Sequence, residues 1–284
     1  MLSFIDSSNS WLIGLGLNTI LLTVAWIVPK KLLTAAGLFH AWLLGVLIWV
    51  TLGWQGYIVV TFYFLVGSFV TRIGMAQKEA EGIAEKRSGA RGPENVWGSA
   101  LTGALCALAV GMIDWGFIST SNSCTGGFDT IFGCTQMLSV LIPPLPTAHS
   151  LLLLGYVASF STKLSDTCAS EVGKAYGKRT FLITTLQPVP RGTEGAVSLE
   201  GTFAGVLASV AQALVGWAIG LIDVRGVIWC VLAAFIATNL ESVIGATLQT
   251  RFNWLTNELV NILNTLIGAT TAMLFAWFWT STIA

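Results

Sequence analysis

Apolar residues run along this chain in long unbroken blocks, without the alternation of a half-buried strand or the one-sided stripe of a soluble helix. A membrane-spanning helix needs about 20 mostly apolar residues. The stretches that meet this are 11–28, 32–51, 55–71, 97–114, 147–165, 201–222, 226–249 and 258–280. They predict an all-α polytopic transmembrane helix bundle of about eight spans, within limits of six to nine. The least regular is 147–165, whose end runs into Lys163 and Asp166. Segment 131–146 is apolar but short, and Pro143, Pro144 and Pro146 break it, so it reads as re-entrant or interfacial. No hydrophilic stretch is long enough for a second domain, so residues 1–284 read as one integral membrane domain.

Composition supports the pattern. Only 10% of the 284 residues are charged and mean hydropathy is +0.76, whereas a soluble domain carries about 25% charged residues. The surface must therefore face lipid. Twelve tryptophans suit membrane interfaces. A net charge of zero argues against nucleic acid as a partner. The N-terminus has no positive region ahead of its first apolar run and no small-residue cleavage site, so direct membrane insertion is expected.

Basic residues then set the orientation. Lys30, Lys31, Arg72, Lys78, Lys86, Arg87, Arg91, Lys163, Lys174, Lys178, Arg179, Arg191 and Arg251 all fall on one side of an eight-span arrangement, with Arg225 the exception. By the excess of Lys and Arg in cytoplasmic loops, that side is the cytoplasm and both termini lie outside it. Loops 72–95 and 166–200 are then cytoplasmic and 115–146 is the outer loop. Cys124 and Cys134 lie in that outer loop, where a disulfide is one alternative and free thiols the other. Cys106, Cys168 and Cys230 sit among apolar or small residues and read as packing residues.

Charges that lipid should not tolerate carry the functional signal, since a carboxylate near the bilayer centre costs about 2.5–3.5 kcal/mol on insertion scales. In 162–174, helical spacing puts Asp166, Ser170 and Lys174 on one face and Thr167 and Glu171 on the next. Carboxylates and hydroxyls beside lysines suit a hard cation with bound phosphates, or simply a helix end surfacing into water. The run Arg191, Gly192, Thr193, Glu194, Gly195, Ala196, Val197, Ser198 precedes the sixth span. It is either an anion cradle of backbone N–H groups or a flexible turn, and it is not a Walker A loop. In the seventh span Glu241, Gly245 and Gln249 share a face, with Glu241 about 15 Å deep. Asn257, Asn261 and Asn264 line one face of the eighth, beside Glu258, and interhelical hydrogen bonding explains them well. Loop 78–92 reads as a solvated charged loop or as an anion holder. The only histidines, His40 and His149, lie far apart, and no Cys-x-x-Cys or dinucleotide fingerprint occurs.

Four blocks in order, Asp166–Gly173, Gly192–Ser198, Gly245–Gln249 and Asn257–Asn261, together with Lys78, Gly82, Gly89 and Arg91, resemble an integral membrane family. Its best-known member is the phytyl-phosphate kinase of tocopherol synthesis. The resemblance covers about residues 60–270. The Gly192–Ser198 block and Gly98-Ser99 look most like the photosynthetic branch, and Glu241 stands where much of the family has Asp.

The resemblance implies phosphoryl transfer to phytyl phosphate, giving phytyl diphosphate for tocopherol or prenylquinone synthesis. The implied donor is a nucleoside triphosphate, CTP by distant kinship with CTP-using prenol kinases. The implied setting is a bacterial-type inner membrane or a thylakoid or chloroplast-envelope membrane, with the site facing cytoplasm or stroma. On this reading Asp166, Glu171 and Glu241 hold Mg²⁺, and Lys174 and Arg191 neutralise donor phosphates. Gly192, Thr193, Gly195 and Ser198 cradle them. Lys78 and Arg91 hold the acceptor phosphate, and Gln249, Asn257 and Asn261 form a polar lining. Spans six to eight would line the groove for the prenyl tail. A kinase or cytidylyltransferase for another prenyl or lipid phosphate, and a transporter, are the competing readings.

Overall fold

The computed structural model describes residues 7–27, 32–117, 147–249, 251–252 and 254–283. Lys30, Lys31, Cys124, Cys134 and the segment 131–146 lie outside them. Helix α1 spans Ser7–Ile27, α2 Ala35–Thr71, α3 Met75–Ala80, α4 Pro93–Asp114, α5 Ala148–Tyr176, α6 Leu199–Ala218, α7 Val224–Ile244 and α8 Asn257–Ile283. The chain is an all-α polytopic membrane bundle, as the apolar runs predict. Among the described residues, six helices (α1, α2, α4, α6, α7 with its continuation to Gln249, and α8) are long and apolar enough to cross a membrane.

Helix α2 holds two of the predicted spans. Gly53 breaks it with φ 64° and ψ −156°, values that only glycine adopts without strain. In a straight helix, Gly37 and Gly67 would stand about 45 Å apart. Both instead pack against Arg91, so the two halves fold back on each other at Gly53. The contact of the Trp49 and Tyr57 rings across the bend agrees, with centroids 5.5 Å apart.

Helix α5 is longer than the sequence suggests and is the centre of the bundle. It packs against α2, α4, α6, α7 and α8. Its polar residues are what shorten the apolar run, yet nearly all are buried: Ser159, Ser161, Thr162, Lys163, Ser165, Asp166, Thr167 and Glu171. Counting α2 twice and including α5 gives the eight passes expected. Cys106, Cys168 and Cys230 are buried and free, as packing residues should be.

Chain direction places both described ends on one face of the bundle. The opposite face carries loop 72–92, with α3 and a 3₁₀ turn at Lys86–Gly89, and a loop containing a small hairpin. Strands β1 (Thr180–Leu182) and β2 (Ala196–Ser198) pair antiparallel, Phe181 opposite Val197. Loop 72–92 is tied to the entry of α2 by backbone hydrogen bonds, Thr34 N to Arg91 O and Arg91 N to Leu32 O, both 3.0 Å.

Candidate active site

A cavity of about 760 Å³ lies under these loops and reaches down between the helices. Its wall takes residues from loop 72–92, from α5, from the β2 turn, and from α6, α7 and α8. Among the described residues, seven carboxylates line it: Glu85, Glu94, Asp166, Glu171, Glu194, Glu241 and Glu258. Four cationic side chains, Arg87, Arg91, Lys163 and Lys174, stand among them. An acidic wall of this kind does not attract phosphate by itself.

Two buried charge clusters along α5 organise the wall. In the first, Lys163 is ion-paired with Asp166 and donates to Asn261 Oδ1 at 2.7 Å. Asp166 stands beside Glu241 of α7 on the cavity wall, close enough for the two carboxyl groups to interact. Two carboxylates in contact need a shared proton or a cation between them. In the second, Glu171 is 1% exposed and is held from both sides, by Lys78 Nζ at 2.5 Å and Lys174 Nζ at 3.1 Å. Lys78, fully buried, also donates to Thr71 O at 2.7 Å.

These clusters revise the expected assignments. The trio of Asp166, Glu171 and Glu241 does not form: among the described residues, no three His, Cys, Asp or Glu gather as a metal site. Asp166 and Glu171 are five residues apart on one helix, about 7.5 Å in rise, and face different partners. Asp166 and Glu241 remain as a two-carboxylate donor set. That fits Mg²⁺, which takes one or two carboxylates and completes its shell with water and substrate phosphates.

Lys78 is not on the cavity wall, because its ammonium is committed to Glu171 and Thr71. Arg191 is not there either: its guanidinium reaches Glu81 Oε1 at 2.7 Å and Ala175 O at 3.4 Å. Gln249 also misses the wall and hydrogen-bonds Asn257. Ser198 lines the cavity, but its hydroxyl caps α6 by accepting from Gly201 N at 3.1 Å.

Gly192 and Gly195 line the cavity with φ of 80° and 76°. A Cβ on Gly192 would meet Ile83 Cγ2 at 2.5 Å, and one on Gly195 would meet Ser242 O at 2.6 Å. Their smallness therefore serves packing of the turn onto loop 72–92 and α7. Thr193 lines the cavity and hydrogen-bonds Pro190 O at 2.8 Å. Asn257 and Asn261 line it too, whereas Asn264 is fully buried and neither of its amide atoms has a partner among the described residues.

Arg91 sits where expected and is held rigidly. Its Nη1 donates to the Tyr63 hydroxyl at 2.6 Å, and its guanidinium lies 5.1 Å from the Tyr63 ring centroid. Sequence reasoning missed Tyr63, which is hidden in the apolar run of α2 and carries no local signal. It also gave no individual role to Arg87, ion-paired with Glu94, or to Ser99 and Thr202. The acidic start of α4, Pro93-Glu94-Asn95, was a usable clue. Past Glu241, α7 ends in a π-helical turn, Gly245–Gln249, a form that often marks a functional site.

The fold and cavity define a class: an integral membrane protein with a charged pocket sunk beneath the loops of one face. The particular family follows from comparison. Residues 18–269 match the model of "Integral membrane protein DUF92", and the chain belongs to that family. It is 61% identical over 264 residues to an uncharacterized membrane protein of Synechocystis sp., covering 93% of this chain and 90% of that one. It is 40% identical over 275 residues to "Protein VTE6, chloroplastic" of Arabidopsis thaliana, covering 96% and 74%. An uncharacterized membrane protein of Methanocaldococcus jannaschii is 28% identical over 260 residues, covering 90% and 92%. No solved structure matches.

Proposed function

We propose that this protein is a prenyl-phosphate kinase that moves a phosphoryl group from a nucleoside triphosphate, CTP first among candidates, to phytyl phosphate. The product is phytyl diphosphate for tocopherol or prenylquinone synthesis. The observation that carries the reading is the cavity itself. It combines a paired-carboxylate donor set, four cations and a loop roof inside a membrane bundle, where an amphipathic phosphate and a water-soluble nucleotide can meet. The family match and the 40% identity to VTE6 point the same way. In this proposal the loop-bearing face is cytoplasmic or stromal, and both termini lie on the other side.

The acceptor phosphate oxygen is already anionic, so the site needs no strong general base. It attacks the terminal phosphorus of the donor in line, and the bond to the nucleoside diphosphate breaks. Arg91, fixed by Tyr63, holds the acceptor phosphate. Lys174 and Lys163 neutralise donor phosphates, and Arg87 closes the charge under the loop. Asp166 and Glu241 would hold Mg²⁺, which when bound offsets phosphate charge that an acidic wall otherwise repels.

The test is purified protein in detergent with phytyl phosphate, Mg²⁺ and each nucleoside triphosphate, with products weighed by mass spectrometry. A gain of one phosphate supports the kinase, and a gain of a nucleoside monophosphate converts the reading to a nucleotidyltransferase. No turnover with any donor contradicts both and favours a transporter, which needs a sealed membrane.

A further inference from the structure

The cavity does not end beneath the loops. Its wall continues down one face of α6, through Thr202 and Val206, and one face of α7, through Ser242, Thr238 and Phe235. Phe235 has two roles that a closed pocket would keep apart. It lines the cavity, is 46% exposed, and shares a face of α7, at helical spacing, with Ile228 and Leu232, exposed residues that do not line the cavity. Ile236 beside it on α7, and Phe203 and Leu207 on α6, are exposed apolar residues, the surface that lipid covers. A residue that faces cavity and bilayer at once marks an opening between them. Along α7 it lies six residues from Glu241, about 9 Å further into the membrane.

We propose that the cavity opens sideways into the bilayer between α6 and α7, through a portal flanked by Val206 and Phe235. This portal is the binding subsite for the head-proximal part of an isoprenoid chain. The inference rests on the proposed kinase reading for the identity of its occupant. Polar groups change to apolar ones in the order such a substrate needs. Asp166 and Glu241 stand at the phosphate level, Thr202 and Thr238 come next, and Val206 and Phe235 lie at the lipid edge. The remainder of the chain stays in lipid, so the portal selects for a linear apolar tail rather than for its full length. A transferase for water-soluble phosphates has no use for such an exit.

The test compares phytyl phosphate with dimethylallyl phosphate, whose short chain does not reach the lipid edge. Val206→Trp and, separately, Phe235→Trp fill the portal. Each should lower the ratio of kcat/KM for phytyl over dimethylallyl phosphate about tenfold or more. Size-exclusion profiles identify whichever variant folds. A folded variant that keeps the wild-type ratio overturns the portal. If the wild-type protein phosphorylates neither compound, the kinase reading fails separately. The portal is then decided by photocrosslinking with a prenyl phosphate bearing a diazirine on its chain. Labels on 202–206 and 235–239 support it, and labels confined to α1, α4 or α8 overturn it.

Discussion

The two charge clusters of α5 lie within three turns of each other and are buried to similar degrees, yet they are built oppositely. Around Glu171, one carboxylate meets two ammonium groups, Lys78 and Lys174. Around Asp166, two carboxylates meet one, Lys163, with Glu241 as the second acid. The first cluster carries one positive charge in excess: Lys78 ties loop 72–92 to the central helix, and Lys174 stands at the cavity wall. The second still asks for positive charge. Buried charge alone therefore does not mark the reactive centre; the balance of each cluster does.

The comparison gives the largest prediction. Asp166→Asn should reduce phosphoryl transfer about 100-fold or more, because it removes one of the two carboxylates proposed to hold the cation that offsets phosphate charge. It should leave the folded protein intact in size exclusion, since Asn keeps the shape and Glu241 remains as counter-charge to Lys163. Lys78→Met should do the reverse and act on stability. Leaving Glu171 buried with half its partners costs about 3–5 kcal/mol, read as a lower melting temperature in detergent. Adding Glu171→Leu should restore much of that loss, as replacing a whole buried pair by apolar groups is often neutral.

Smaller effects sharpen the boundary of the site. Arg91→Lys should raise KM for the prenyl phosphate about tenfold, because an ammonium cannot both stack on Tyr63 and hold a phosphate with two N–H groups. Arg191→Gln should change the rate by less than about threefold, since Arg191 is spent on a part-exposed pair with Glu81. A large loss of activity there would return Arg191 to the donor site.

The limits of the sequence follow the same division. Apolar run length is a local property, so α1, α4, α6, α7 and α8 were legible within a few residues. The turn at Gly53 was legible as a gap between spans 32–51 and 55–71. What sequence cannot give is partnership across distance. Glu171 and Lys78 are 93 residues apart, and Arg191 and Glu81 are 110 apart. Nothing near Lys78 or Arg191 tells a phosphate ligand from an ion-pair partner, and both were assigned to phosphate. Asp166 and Glu171 were joined to one metal because they are close in the chain, while their partners lie on different elements. Tyr63 is visible only once α2 folds back on Arg91. The β1–β2 hairpin is too short for alternation to reveal, and its glycines resemble an anion loop whether they bind phosphate or pack against Ile83 and Ser242.

The account depends on the Asp166–Glu241 pair, and not Glu171, being where a divalent cation binds. Mn²⁺ titration followed by electron paramagnetic resonance, on folded wild-type, Glu241→Gln and Glu171→Gln proteins with a nucleoside triphosphate present, tests this directly. The expected result is weakening of Mn²⁺ binding by about tenfold or more in Glu241→Gln and wild-type affinity in Glu171→Gln. Equal weakening in both, or loss only in Glu171→Gln, would contradict it.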